Sequence, residues 1–262
     1  MSRGSITFQY VSDLHLEFRG FEVNKIIESI IPAAPYLVLA GDIGKPSHPN
    51  YTFFLAAMSK RFEYVFLVAG NHEFYGSSVP EALAAITKIC DGFPNVYFLN
   101  SELFVDASLP IHIFGGTMWT LVKSEERHGV EILMNDSRLI REFTVDSAAT
   151  EHMRFVERLQ VSLDANTDKP FLVISHHLPS FELIDPKYSG SSINSAFATN
   201  VPMAHDERIK AWVYGHTHSS RPGPRFYCNP IGYPGENLSV TYNALLTIPL
   251  EEQRVQSDSE QE

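Results

Sequence analysis

An α/β fold with mixed sheets is predicted by three features of the chain. Short apolar runs read as buried strands, helix-like stretches separate them, and a polar cluster closes each of five runs. Buried strands separated by helices indicate parallel βαβ units. The first strand is Ile6 to Val11, followed by Ser12-Asp13-Leu14-His15. A helix from about Glu22 to Ile31 stops at Pro32, which cannot continue it. The second strand, Tyr36 to Ala40, runs into Gly41-Asp42, and a helix from about Tyr51 to Arg61 follows. The third strand, Tyr64 to Ala69, ends in Gly70-Asn71-His72-Glu73, and a helix spans about Val79 to Cys90. Runs at Val96 to Phe98, Leu103 to Val105 and Ile111 to Phe114 are closely spaced, as antiparallel neighbours would be. Residues 116–145 read as an irregular insertion over one face, and a helix from about Asp146 to Leu163 comes next. Phe171 to Ile174 ends in Ser175-His176-His177, and the run Ala211 to Tyr214 ends in Gly215-His216-Thr217-His218.

Composition bounds the function. The chain has 262 residues, 44% hydrophobic and 19% charged, which is ordinary for a globular protein with a sizeable core. We expect a single domain over residues 1–250 and a disordered acidic tail over 251–262, where EEQRVQSDSEQE lacks aromatics. A formal net charge of -11 argues against sequence-independent nucleic-acid binding, which relies on clustered Lys and Arg, and against anionic membranes. No apolar run approaches the roughly 18 residues of a membrane span. The N-terminal MSRGSITFQY enters a strand-like pattern rather than a signal-peptide core. Cys90 and Cys228 are far apart and match no zinc or redox spacing. The expected location is cytoplasmic.

Ligands of open α/β sheets bind beyond the carboxyl ends of the strands. That is where this chain places the clusters DLH, GD, GNHE, SHH and GHTH. Each alone is compatible with an ordinary turn, a helix cap or a hydrogen-bonded histidine. Five unrelated turns have no structural reason to collect Asp, Asn and His at one end of a sheet. In the last cluster, His216 and His218 stand at i and i+2, which in an extended chain point the same way.

The ordered set Asp13-x-His15, Gly41-Asp42, Gly70-Asn71-His72-Glu73, His176 and Gly215-His216-x-His218 resembles the calcineurin-like metallophosphoesterases from residue 6 to about 248. The resemblance implies a sandwich of two mixed β-sheets flanked by helices. It also implies a dinuclear metal centre in which Asp42 bridges, Asp13, His15 and His218 complete one site, and Asn71, His176 and His216 complete the other. His72 follows the ligand Asn71 and, by the same resemblance, contacts phosphate or donates a proton to the leaving oxygen. An imidazole with an ordinary pKa near ~6.5 suits that work, and the metals and Asp13 are expected to tune it. Which of His176 and His177 coordinates is left open by their adjacency; the spacing to Pro179 resembles the family's pattern and favours His176. His112, His152 and His205 lie outside the clusters and read as ordinary surface or core-edge residues.

The chemistry has its own requirements. Two metal ions about 3.5–4 Å apart clamp phosphoryl oxygens and make a hydroxide available near neutral pH. Seven candidate ligands are too many for one ion of four to six coordination. Imidazole, carboxylate and amide donors without thiolate suit divalent Mn, Fe, Zn, Co or Ni. Two such ions less two Asp and a hydroxide leave a surplus of about one positive charge, so an acidic protein can hold phosphate.

Departures from known subfamilies narrow the substrate. Protein phosphatases carry Asp-Arg-Gly soon after Gly-Asp, whereas Gly41-Asp42 continues Ile43-Gly44-Lys45-Pro46. The reading is therefore a metallophosphoesterase for a small-molecule phosphodiester or phosphomonoester, nucleotide types included, with attack by a metal-bound hydroxide. Phosphodiesterase is favoured over protein phosphatase. The alternative is a non-catalytic interaction scaffold on the same fold, which would be expected to have lost a ligand or His72. The stretch Asn135-Asp136-Ser137-Arg138 could roof the cleft, with Arg138 either touching phosphate or, as surface Arg commonly does, pairing with a neighbouring acid.

Overall fold

Alternation along the strands decides how the layers stack. In β2 (Tyr36–Ala40), Val38 and Ala40 point to one face and Leu37 and Leu39 to the other, and all four are fully buried. Both faces of that strand must therefore be covered. One is covered by a second sheet and the other by helices. The computed structural model describes residues 6–221, 223–236, 243, 245 and 247–250. The expected acidic tail, 251–262, lies outside the described residues.

In chain order, β1 (Ile6–Val11), α1 (Val23–Ser29), β2, α2 (Pro49–Ser59), β3 (Tyr64–Val68), α3 (Val79–Cys90) and β4 (Val96–Phe98) build the first sheet by βαβ steps. Then come β5 (Glu102–Phe104), β6 (His112–Gly116), α4 (Arg127–Leu133), α5 (Asp136–Leu139), α6 (Val145–Ala165), β7 (Phe171–Ser175), β8 (Ile209–Val213), β9 (Phe226–Tyr227) and β10 (Thr247–Leu250). The first sheet has the order β10-β1-β2-β3-β4 and the second β5-β6-β7-β8-β9. Strand β10 pairs antiparallel with β1, and β5 with β6; the other pairings are parallel. Both sheets are thus mixed, as expected.

Two details differ from the sequence reading. Strand β4 is not antiparallel to its successors: it joins β3 in parallel, and the chain then crosses to the other sheet at β5. Short spacing between runs signals a change of sheet as readily as a hairpin. The 116–145 segment is not wholly irregular either, since it folds into α4 and α5. Both helices are too short for apolar periodicity to reveal them.

Between the sheets lie Phe8, Val38, Phe66 and Val68 from the first and Ile113, Leu172, Ile174 and Val213 from the second. Burying a Phe such as Phe66 there is worth roughly 1.5–3 kcal/mol. Outside the first sheet, Leu37, Leu39, Val65 and Leu67 pack on apolar residues of α1, α2 and α3. Outside the second, Phe114, Val173 and Trp212 pack on Phe155, Leu159 and Leu163 of α6. Helix α2 starts with Pro49 after His48, whose side chain accepts from the Asn50 N–H at 3.2 Å, and α3 starts with a Ser78–Glu81 capping box. Among the described residues no helix is long and apolar enough to cross a membrane.

Candidate metal centre

The five polar clusters close strands of both sheets: β1, β2 and β3 of the first, β7 and β8 of the second. Two glycines let these strand ends meet. A Cβ on Gly70 would collide with the Asp42 carboxylate, and one on Gly215 would lie 2.9 Å from Asp13 Oδ2. The Asp13 carboxylate is held by the His216 N–H, which donates to Oδ1 at 2.9 Å, and by the Ser12 hydroxyl on Oδ2. The Asp42 carboxylate accepts the His72 N–H on Oδ1 at 2.8 Å, which leaves Oδ2 toward the histidines. The His216–Asp13 bond ties the carboxyl edge of one sheet to that of the other, and the His72–Asp42 bond joins neighbouring strand ends of the first.

All seven candidate ligands come together. Asp13, His15 and His218 form one group that could hold a metal ion, and Asp42, His176 and His216 form another. In the first, His15 Nε2 and His218 Nε2 are 2.9 Å apart, with Asp13 Oδ1 3.6 Å from the latter. In the second, His176 Nε2 lies 3.2 Å from Asn71 Oδ1, 3.2 Å from His216 Nδ1 and 3.4 Å from Asp42 Oδ2. Asp42 Oδ2 is also 3.9 Å from His15 Nε2, so one carboxylate oxygen stands between the groups. The expected common direction of His216 and His218 is corrected. Strand β8 ends at Val213 and both residues have positive φ, 77° and 49°, so the extended-chain rule does not apply. Their rings face different groups because the turn separates them.

The adjacent histidines face different ways. His176 sits in the cluster, whereas His177 Nδ1 turns to the Thr117 carbonyl at 3.3 Å. Burial and the neighbouring His176 push the His177 pKa down to about 3, so it stays a neutral ring. His152 faces the Met118 and Trp119 carbonyls at 3.2 Å, His112 pairs with Asp168 at 2.9 Å, and exposed His205 pairs with Glu182 at 3.5 Å. These three keep the ordinary roles expected of them.

Outer partners fix the donor atoms, as ligand histidines require. His176 Nδ1 donates to the Ala40 carbonyl at 2.9 Å and His218 Nδ1 to Glu236 at 2.8 Å, leaving each Nε2 lone pair on the cluster. The Asn71 amide is aimed in the same way. Its Nδ2 donates to Tyr75 Oη and to Asp136 Oδ1, both at 2.8 Å, while the Tyr75 hydroxyl donates to the same Asp136 oxygen at 2.7 Å. The Glu73 carboxylate ties the second and third strand ends together. It accepts N–H groups of Asp42 at 3.0 Å, Ile43 at 2.8 Å, Gly44 at 3.3 Å and Gly70 at 2.7 Å. Burial and the Asp42 charge raise its pKa to about 8, but four donors and no acceptor satisfy only the ionised form.

His72 has a carboxylate of its own. Its Nδ1 meets Glu17 Oε1 at 2.8 Å and its Nε2 meets the Tyr233 hydroxyl at 3.0 Å. Two further carboxylates act on this ring: Glu17 touches it and Asp42 acts through its charge. Burial lowers the His72 pKa, Asp42 and Glu17 raise it, and the net shift is upward. His15, Glu17 and His72 also form a third group compact enough for a cation. The direct 2.8 Å bond between Glu17 and His72 makes an orienting pair the simpler assignment. Glu17, Tyr75, Asp136, Tyr233 and Glu236 had no assigned role in the sequence. Glu17 left a signal there, as the third polar residue of an alternating Asp13-x-His15-x-Glu17, and Asp136 lay in the stretch expected to roof the cleft.

The residues fit divalent cations. Four imidazole nitrogens crowd one another on the cluster, His15 Nε2 with His218 Nε2 at 2.9 Å and His216 Nδ1 with His176 Nε2 at 3.2 Å, as ligands of shared cations would. Burial opposes the Asp42 charge, yet His176, His72 and His15 hold its pKa well below the carboxylate range. Conversely, burial opposes a charge on His176 but Asp42 raises its pKa to about 9. A cation would compete with that proton and release it. Burial and the neighbouring His177 and His176 push the His216 pKa well down, leaving the neutral form that ligates metals.

A cavity of about 450 Å³ opens over the cluster, lined by Asp42, Asn71, His72, His216 and His218 at its floor. The insertion reaches this cavity through Asn135, and it reaches the cluster through Asp136. Arg138 is exposed and donates to Asn135 Oδ1 at 2.8 Å. It does not line the cavity.

Known proteins share this frame. Uncharacterized protein L509 of Acanthamoeba polyphaga mimivirus is 28% identical over 92% of this chain and 96% of its own length. A phosphopantetheinyl hydrolase from Mycobacterium tuberculosis has a similar fold, with a TM-score of 0.71 at 20% identity over 96% of this chain and 98% of that one. A dimetal phosphatase from Danio rerio matches with a TM-score of 0.54 at 14% identity, covering 95% and 94%. The family model for calcineurin-like phosphoesterases matches residues 6–220, a span that holds all seven clustered residues, and the chain belongs to that family.

Proposed function

We propose that the chain is a dinuclear metallophosphoesterase that hydrolyses a small-molecule phosphoester, with residues 1–250 forming the catalytic domain. One observation carries the reading. Asp42 Oδ2 lies 3.9 Å from His15 Nε2 and 3.4 Å from His176 Nε2, so a single anionic oxygen faces two converging donor sets. Asp13, His15 and His218 would hold one ion, and Asn71, His176 and His216 the other, with Asp42 shared. A divalent pair supplies Lewis-acid polarisation of the phosphoryl oxygens and a lowered pKa for water. The dimetal phosphatase of similar fold supports two ions rather than one.

The remaining work falls to residues of the chain. His72 lines the cavity with Nε2 toward the Tyr233 hydroxyl, in position to give a proton to a leaving oxygen. Glu17, on Nδ1, holds the ring in place and stabilises its charged form. Glu73 fixes the loops that carry Asp42 and Asn71, and Glu236 fixes His218.

The test is metal analysis of purified protein, followed by hydrolysis assays with bis-(4-nitrophenyl) phosphate, 4-nitrophenyl phosphate and 4′-phosphopantetheine in added Mn. The last compound is included because the similar fold from Mycobacterium tuberculosis is a phosphopantetheinyl hydrolase. Two metals per chain and turnover of a small ester are expected, with phosphopeptides poor substrates. One metal per chain at saturation, or phosphopeptide turnover without small-ester turnover, would refute the proposal.

A further inference from the structure

The cavity walls carry information that the cluster does not. Above the proposed metal ligands, the cavity is lined by Leu133, Met134, Ile184, Tyr188, Ile193 and Phe197. Leu133 is 58% exposed and Tyr188 is 49% exposed, although both border a site surrounded by polar groups. At about 450 Å³ the space falls within the range of small-molecule sites, about 300–1,000 Å³, and far exceeds one phosphate group.

Charge sharpens this. No Lys or Arg among the described residues lines the cavity, whereas Asp185 and Glu236 do. Two nearby cations are already paired with residues of the cavity rim. Lys187 lies 3.4 Å from Asp185 and 4.9 Å from the Tyr188 ring centroid, and Arg138 is bound to Asn135. A second phosphate on the substrate would therefore meet apolar carbon, neutral polar groups such as Ser191 and Asn194, or a carboxylate, with no Lys or Arg among the described lining residues to receive it.

We propose that the apolar wall is the leaving-group subsite and that the substrate is a phosphoester with one phosphate and an elongated, uncharged, partly apolar leaving group. This rests on the phosphoesterase reading above and deepens it. Nucleoside polyphosphates and other esters with a distal anion are disfavoured by the same wall. Continuity fixes the occupant: Phe197 packs against His216 with ring centroids 5.0 Å apart, so a group on the wall begins beside the cluster.

The experiment is calorimetric binding of n-alkylphosphonates, methyl to octyl, to the metal-loaded full chain. Each methylene that reaches the wall should tighten binding about fourfold, the worth of a buried CH₂. The heat-capacity change should become more negative along the series. Hexane-1,6-bisphosphonate should bind at least about tenfold more weakly than hexylphosphonate, because its distal anion must be desolvated without a partner. The Leu133→Ser/Ile193→Ser variant, checked for unchanged metal content, should flatten the dependence to below about twofold per methylene, having lost the apolar contact. Equal affinity from methyl to octyl, or tighter binding of the bisphosphonate, overturns this proposal and leaves the phosphoesterase reading standing. Failure of every phosphonate to bind a chain that demonstrably holds metal overturns both.

Discussion

Asp136 is the sharpest place to perturb the centre, because it touches none of the proposed ions. Its Oδ1 accepts the Asn71 amide at 2.8 Å and the Tyr75 hydroxyl at 2.7 Å, and the carboxyl is buried. Those two bonds decide which end of the Asn71 amide faces His176. With Asp136→Ala, the amide can rotate and present its NH₂, which cannot ligate. Loss of such an orienting partner typically costs 10- to 100-fold in metal affinity, about 1.4–2.7 kcal/mol. Each hydrogen bond to a charged acceptor is worth roughly 1.5–3 kcal/mol, but relief from burying the carboxylate offsets part of this. A net stability loss near ~2 kcal/mol is expected, or ~4–8 °C in Tm for a domain of this size. The assay is chelator-competition titration of both metal sites, with calorimetric melting of the metal-free protein. Only the Asn71 site should weaken. Asp136→Asn, which keeps an acceptor oxygen, should lose less than about tenfold. Unchanged affinity in Asp136→Ala, or equal weakening of both sites, would refute the orienting role.

Three other outcomes are expected. Asp42→Asn should weaken both metal sites in the same titration, because its Oδ2 faces both groups; loss at one site alone would remove it as the bridge. His72→Ala should keep its metals yet slow an alkyl ester about 10²–10⁴-fold and a nitrophenyl ester less, as for a lost general acid; metal loss would instead make His72 a ligand in the group with His15 and Glu17. Burial raises the Glu17 pKa, but the nearby His15 and the hydrogen-bonded His72 carry it below its ordinary 4.5, to about 2. A depressed carboxyl adds stability that is present above the ordinary value and lost as pH falls through the lower one. Metal-free protein should therefore lose stability between pH 4.5 and about 2 more steeply than Glu17→Gln in acid melts, and parallel slopes would count against the bond.

The sequence made the strands and their terminal clusters legible because both are local. Buried strands such as Val38 to Ala40 announce themselves by apolar runs, and Asp13, Asp42, Asn71, His176 and His216 each follow one. What it hid was either nonlocal or conformational. Strand β4 is parallel to β3 because of where the chain goes next, not because of its own three residues. Asp136 lies 65 positions from Asn71 and Tyr233 lies 161 from His72, so no spacing rule connects them. Arg138 drew attention by its charge, yet its neighbour Asp136 makes the contact, since a buried carboxylate looks like any surface acid in sequence.

Backbone conformation adds to residue type in marking the ligand cluster, although Ser101, Met118, Trp119 and Glu142 also have positive φ outside it. Asp13, His15, Asp42, His216 and His218 all have positive φ, between 48° and 77°. Left-handed backbone costs an L-residue about 1–2 kcal/mol, and a turn with no other duty would place glycine there. The chain does use glycine at positive φ nearby, at Gly41 and Gly44 around Asp42 and at Gly232 beside Tyr233. Five carboxylates and imidazoles occupy positions whose backbone disfavours them, and their donor atoms converge on two points. Ordinary turns explain the polarity of these residues but not the strain. A requirement for those particular side chains at those points explains both.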